Sequence, residues 1–94
     1  NISEANFKNA CLKSASFVNA KLGDANFRGA DLADSDFSGA ELIETKFMGV
    51  DLRTVKNISA EELELSIIDS ETQIPDYILV NWTSEETYEC RSKS

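Results

Sequence analysis

From residue 2 onward an apolar side chain recurs at every fifth position of this chain: Ile2, Phe7, Leu12, Phe17, Leu22, Phe27, Leu32, Phe37, Leu42, Phe47 and Leu52. All five phenylalanines fall in the series. Two places before the centres stand small side chains, from Ala5 and Ala10 through Ser35, Ala40 and Thr45 to Val50. A period of five fits neither the 3.6 of a helix nor the 2.0 of a strand. A helix would smear the centres around its circumference, and a strand would send alternate centres into water. All of them are buried together only in a solenoid, where each five-residue segment forms one side of a coil and turns a corner. The centre and the small residue before it then point inward, and the other three positions face water.

Ala5-Asn6-Phe7, Ala25-Asn26-Phe27 and Ala30-Asp31-Leu32 carry an A-(D/N)-L-x-x pattern. Through it, residues 1–54 resemble the pentapeptide-repeat family. Lys21, Lys46, Cys11 and Glu41 stand where Asp or Asn is usual, and Val50 is larger than alanine. The resemblance implies an all-β solenoid, a right-handed quadrilateral parallel β-helix with four segments, hence twenty residues, per coil. Residues twenty apart then stack at roughly the 4.7–4.9 Å strand spacing. Phe7, Phe27 and Phe47 form one internal ladder, and Phe17 with Phe37 the opposite one. Ile2, Leu22 and Leu42 form a third, and Leu12, Leu32 and Leu52 a fourth. Residues 1–54 amount to about 2.7 coils, a rod of roughly 13 Å.

A coil end exposes apolar side chains and unpaired backbone, so it requires a cap. The pattern stops after Thr54, because Asn57 falls where a centre is due. Ser59-Ala60-Glu61-Glu62 reads as a helix-initiating capping box, with Ser59 as N-cap. Ala60, Leu63 and Ile67 share one face of a short α-helix over about 59–68, a lid for the channel. Asp69-Ser70 ends it, and Pro75 forbids another directly behind. The segment 55–76 also resembles a C-terminal extension of some bacterial family members, through Ser59, Glu61, Leu63, Asp69, Thr72, Ile74, Pro75 and Asp76. Residues 55–82 form the cap, helix plus an apolar extended segment from Ile74 to Trp82. Either that segment folds over the lid or along the last coil, covering the outward Ile43 and Met48, or these are scattered surface apolar residues. These two form the candidate docking or partner patch; Val18 is a third outward apolar residue. Residues 83–94 read as a flexible polar tail. At the other end, Asn1-Ile2-Ser3 is already in phase, which suggests a fragment or processed form with coils or a domain upstream. The first coil carries no cap, so an end-to-end homodimer is expected there.

Seventeen acidic against nine basic residues leave a net charge of −8, and histidine is missing. Direct nucleic-acid binding is therefore not expected. The commonest general base and metal ligand are lacking too. The coils hold eight acids and six bases, net −2, and residues 55–94 nine and three, net −6. Glu4, Asp24 and Glu44 share one outer column, Lys8 and Arg28 another beside Lys46, and Lys21 stacks on Glu41. We read these columns as solvated surface. No calcium-loop pattern accompanies the acids, so no metal is expected. Cys11 and Cys90 are expected to stay unpaired thiols, Cys11 facing outward near Lys8 and Lys13. Asn1, Asn57 and Asn81 begin glycosylation triplets, which matter only in a eukaryotic secretory setting. The longest apolar run, Tyr77–Val80, is too short for a membrane span. Catalytic, cofactor-binding and metal residues are none, and no enzyme is expected. The expected role is a non-catalytic scaffold or interaction module with a protein partner, placed in a bacterial cytoplasm by the family's abundance there. The alternative is a DNA mimic acting on DNA gyrase, as in quinolone-protecting family members. A duplex as long as this rod carries about seven or eight phosphate charges, which coils of net −2 do not match.

Overall fold

The structure, a computed structural model, describes residues 4–93; Ile2 lies outside them. Each five-residue segment closes in a tight turn, the amide three places after the centre donating to the centre's carbonyl. Ala10 N–H reaches Phe7 O at 3.0 Å, Ala25 N–H reaches Leu22 O at 2.9 Å, and Ala40 N–H reaches Phe37 O at 3.0 Å. The residue two after each centre has positive φ, between 57° and 75°, at Glu4, Asn9, Ser14, Asn19, Asp24, Gly29, Asp34, Gly39, Glu44 and Gly49. A type II turn demands this at its third position. Ordinary side chains pay about 1–2 kcal/mol there, and Asn, Asp and Gly much less. Those three residue types fill seven of the ten sites. β-branched Thr54 is not in the positive-φ series, and the regular pattern ends with it.

Parallel bridges join residues twenty apart: Asn6 to Asn26, Cys11 to Asp31, Ser16 to Asp36, Lys21 to Glu41, Asn26 to Lys46 and Asp36 to Lys56. Phe7 N–H donates to Asn26 O at 2.8 Å while Asn26 N–H donates back to Ala5 O at 2.9 Å. The turns are tied as well, Asn9 N–H to Arg28 O at 3.0 Å and Asp24 N–H to Ile43 O at 3.0 Å. The chain is thus a β-solenoid with a twenty-residue lap.

Inside it, Phe7, Phe27 and Phe47 stack face to face, with centroids 4.9 Å and 5.4 Å apart and ring planes within 14°. Phe17 and Phe37 lie 5.0 Å apart on the facing side. The two ladders touch edge to face at 5.6–6.2 Å, so all five rings form one cluster. Leu22, Leu32, Leu42 and Leu52 are buried, whereas Phe7 and Leu12 in the first lap are half-buried. The inward small positions include two hydroxyls, and both are satisfied. Ser35 Oγ donates to Leu32 O at 2.7 Å and Thr45 Oγ1 to Leu22 O at 2.8 Å.

The lower end departs from the sequence reading in four ways. First, the ladder does not stop at Thr54. Lys46 pairs with Ile67 and Asp51 with Gln73, so these laps lengthen to 21 and 22 residues. Asn57 takes positive φ, and Ile58 beside it is buried. Second, the helix α1 spans Ala60–Leu65 rather than 59–68. Ser59 caps it as expected, accepting from Glu62 N–H at 3.3 Å. Ser66 turns extended and sends its amide to Glu62 O and Leu63 O, which ends the helix. Third, Ile67 consequently lies on a bridge and points outward, 38% exposed, while Ile68 is 6% exposed and turns into the core. Leu63 is fully buried and Ala60 half-buried, as the lid requires.

Fourth, the tail is not frayed. Strands β1, Ile78–Trp82, and β2, Tyr88–Ser92, form an antiparallel hairpin. Alternation explains it: Ile78, Val80, Tyr88 and Cys90 pack on the core while Leu79, Asn81, Glu89 and Arg91 face away. The hairpin lies over the lid, β2 against α1, and leaves Ile43 uncovered at 53% exposure. Tyr77 hydroxyl donates to Val55 O at 2.7 Å and accepts from Ile58 N–H at 3.2 Å. Tyr88 hydroxyl donates to Ser66 O. Burial pushes both phenols above their usual range.

Side-chain oxygens complete the closure. One lap before Asp34 and Leu42, backbone carbonyls take the equivalent amides, Ser14 N–H reaching Ala33 O at 2.8 Å and Leu22 N–H reaching Glu41 O at 2.9 Å. At the last lap Thr54 Oγ1 accepts from Asp34 N–H at 3.2 Å, Glu62 Oε1 from Leu42 N–H at 2.7 Å, and Asp69 Oδ1 from Gly49 N–H at 3.0 Å. Each acceptor stands twenty residues beyond its donor. Desolvation pushes the Asp69 carboxyl upward, but bonds from the amides of Gly49 and Glu71 and from Thr72 outweigh it and hold the group low.

Candidate interaction surface

The position before each centre has a local task. Asn6, Asn26, Asp31, Asp36 and Asp51 accept the amide two residues on, at 2.9–3.2 Å. Such Asx turns hold the backbone as it enters the corner. They account physically for the Asp/Asn preference at this place. The Ser38 amide, Asn57 Nδ2 and Lys56 hold the Asp36 carboxyl below its usual range, and Arg53 does the same for Asp51. Three of the eight acids on the coils are thus tied into their own turns.

The other charges stand in the expected columns without converging. Glu4, Asp24 and Glu44 are all exposed and occupy positive-φ turn sites. No group of three His, Cys, Asp or Glu among the described residues could hold a metal ion. Lys21 and Glu41 are bridged through their backbones, yet their side chains make no ion pair. The ion pairs among the described residues are Lys13–Asp31 at 3.6 Å and Arg53–Asp51 at 2.9 Å. Both are largely exposed, where such pairs contribute about 0–1 kcal/mol. Cys11 and Cys90 are free thiols. Cys11 is exposed, whereas burial, aided by Glu64, pushes the Cys90 thiol up to about 11.

Apolar residues stand out on this polar surface at one place. Asp24 N–H donates to Ile43 O, and one lap later Glu44 N–H donates to Leu65 O at 2.8 Å. Leu65 therefore sits directly after Ile43 in the same outward column, and the two are 49% and 53% exposed. Ile67 follows two residues on, also exposed, and Met48 is half-buried. Of this group the sequence reading singled out Ile43 and Met48 as outward, and it missed Leu65 and Ile67. Leu65 was legible as the apolar residue on the outer face of α1; Ile67 was hidden by the early end of the helix. Val18, at 45%, stands apart on another side.

No helix among the described residues is long and apolar enough to cross a membrane. Comparison with curated proteins and with solved structures returns no match. The family described as pentapeptide repeats does match, with eight copies over residues 15–53. The match falls on the laps whose centres stack in the core, so residues 15–53 are a segment of pentapeptide repeats.

Proposed function

We propose that this chain is a non-catalytic scaffold, a rigid protein-interaction module whose coils wind as a right-handed quadrilateral β-helix of about 2.7 laps. The outward column of Ile43 and Leu65, continued by Ile67, carries the reading. Single exposed apolar residues are ordinary on a soluble protein. A contiguous apolar strip rimmed by charge, here Glu44 and Lys46, is the mark of a contact surface. The partner's chemistry at this strip is apolar at its centre with polar flanks. The gyrase-mimic alternative is the weaker one. It needs acids displayed along the sides, but the coils are net −2 and three of their carboxylates are engaged in turns.

A photo-crosslinking side chain placed at position 43, with one at Val18 as control, tests the proposal in the cells that produce the protein. Discrete adducts are expected from position 43 and not from 18, and they should vanish on Leu65→Asp. Equal adducts from both sides would refute the strip as the contact. Gyrase supercoiling in vitro should be unchanged at micromolar protein; inhibition or protection there would move the reading to the mimic.

A further inference from the structure

In an antiparallel ribbon, facing residues alternate between pairs that exchange two hydrogen bonds and pairs whose N–H and C=O turn away. The contacts of the hairpin fix that phase. Lys93 N–H donates to Tyr77 O at 3.1 Å and Thr83 N–H to Thr87 O at 2.9 Å. The odd-numbered residues of β1 are therefore the bonded ones, Leu79 with Arg91 and Asn81 with Glu89. Two even-numbered amides agree. Cys90 N–H turns off the outer edge of β2 and is taken by Glu64 Oε1 at 2.7 Å. Ile78 N–H turns off the outer edge of β1 and is taken by Pro75 O at 3.1 Å. The outward N–H groups of Val80 and Trp82 have no hydrogen-bond partner among the described residues. With α1 packed against β2, β1 is the open edge of the sheet.

Edge strands are ordinarily guarded by charges, proline or a bulge. This one is not: from Tyr77 to Ser84 the chain has no charged residue, although 28% of its residues are charged. We propose that this edge pairs with the same edge of a second copy of the chain, about a two-fold axis at Val80, giving a four-stranded antiparallel sheet. Neutrality points to that occupant. Two copies each of net charge −8 repel over most of their surface, but in this register Val80 faces Val80 and Leu79 faces Asn81 of the second copy. Ile78 faces Trp82, and the nearest acid, Asp76, faces Ser84, so no like charges oppose. Val80 and its mate exchange two bonds, and each Trp82 N–H reaches Ile78 O of the other copy. The pairing gains four hydrogen bonds while Ile78 N–H stays with Pro75.

Sedimentation equilibrium of the 94-residue chain, with amide hydrogen exchange at the same concentrations, tests this. The mass should rise with concentration from 10.4 kDa to twice that value. The amides of Val80 and Trp82 should gain protection in step, while those of Leu79 and Asn81 are protected throughout. Val80→Pro removes the central donor at a position where an edge tolerates proline, and should weaken the dimer about 30-fold. Leu79→Lys leaves every backbone donor and the core in place, serves if Val80→Pro does not fold, and should weaken the dimer about tenfold. The proposal is overturned by a single monomeric mass up to millimolar concentration. A dimer that leaves Val80 and Trp82 unprotected, as when copies meet through the first lap at Phe7 and Leu12, overturns it too. So does protection that appears only when an unrelated extended peptide is added.

Discussion

Replacing Phe27 by leucine isolates what the ring ladder contributes beyond filling space. Phe27 is fully buried and touches four rings: Phe7 and Phe47 stacked at 4.9 and 5.4 Å, Phe17 and Phe37 edge-on at 5.6 and 6.2 Å. A hydrophobic swap of similar volume costs less than about 1.5 kcal/mol. Each aromatic pair adds about 0.5–1.5 kcal/mol beyond area. Losing four coupled pairs, less than additively, brings Phe27→Leu to about 2–4 kcal/mol. Phe7→Leu loses only two pairs, with Phe27 and Phe17, at a half-buried site, and should cost about 1 kcal/mol. Urea unfolding followed by far-UV circular dichroism measures both. The fluorescence of Trp82, the one tryptophan, reports the cap separately. A cost for Phe27→Leu below about 1.5 kcal/mol, or equal costs at the two sites, would refute the view that ring-on-ring contact holds the laps together.

Gly29 and Gly49 have φ of +75° and +70°, but a Cβ at Gly29 would fall 2.2 Å from Asn9 Oδ1 while one at Gly49 meets nothing within 4 Å. Gly49→Ala should therefore cost only the backbone strain, about 1–2 kcal/mol; Gly29→Ala should cost more, and in an Asn9→Gly background, which removes the clashing side chain at a positive-φ site without new strain, it should cost no more than Gly49→Ala in the same unfolding assay. Ile67→Asp should shift stability by no more than about 0.5 kcal/mol, whereas Ile68→Asp should unfold the lower lap at a cost above about 3 kcal/mol; thermal melts of the pair check the one-residue slip in that lap. Cys90 favours its neutral thiol in the folded state, with the group raised from 9.0 to about 11. Its contribution to stability is therefore complete below pH 9 and lost as pH rises towards 11, so Cys90→Ala should flatten that alkaline limb in pH-dependent melts. With a disulfide reagent at neutral pH, Cys11 should react at once and Cys90 only as the chain opens.

What was legible in the sequence was whatever repeats. Eleven centres at one spacing can be gathered in few ways, so the solenoid and its inward small residues followed from Phe7 to Leu52, while the twenty-residue lap and the ladders came from the family resemblance. The Ser59 cap was readable because its chemistry is local. The lower lap was not, since lengthening it to 21 and then 22 residues moves the inward position from Ile67 to Ile68, and periodicity carries no signal across such a slip. Hairpin residues 88–92 were obscured by Glu89 and Arg91, whose charge masked an alternation in which Tyr88 and Cys90 turn inward. The candidate surface was half visible. Ile43 is anomalous within the repeat, but its neighbour Leu65 becomes a neighbour only because Glu44 N–H finds the carbonyl at the end of the helix.

The three oxygens of Thr54, Glu62 and Asp69 have a wider consequence. They terminate growth chemically, since an amide already holding a carboxylate or hydroxyl cannot recruit another strand. All three donors, Asp34, Leu42 and Gly49, belong to the final regular turn of the spiral, so the plug is indifferent to how many turns precede it. Whole twenty-residue units spliced in ahead of Asp34 should lengthen the column and leave its stopper untouched, which makes this terminus a transplantable full stop for spirals of the same gauge.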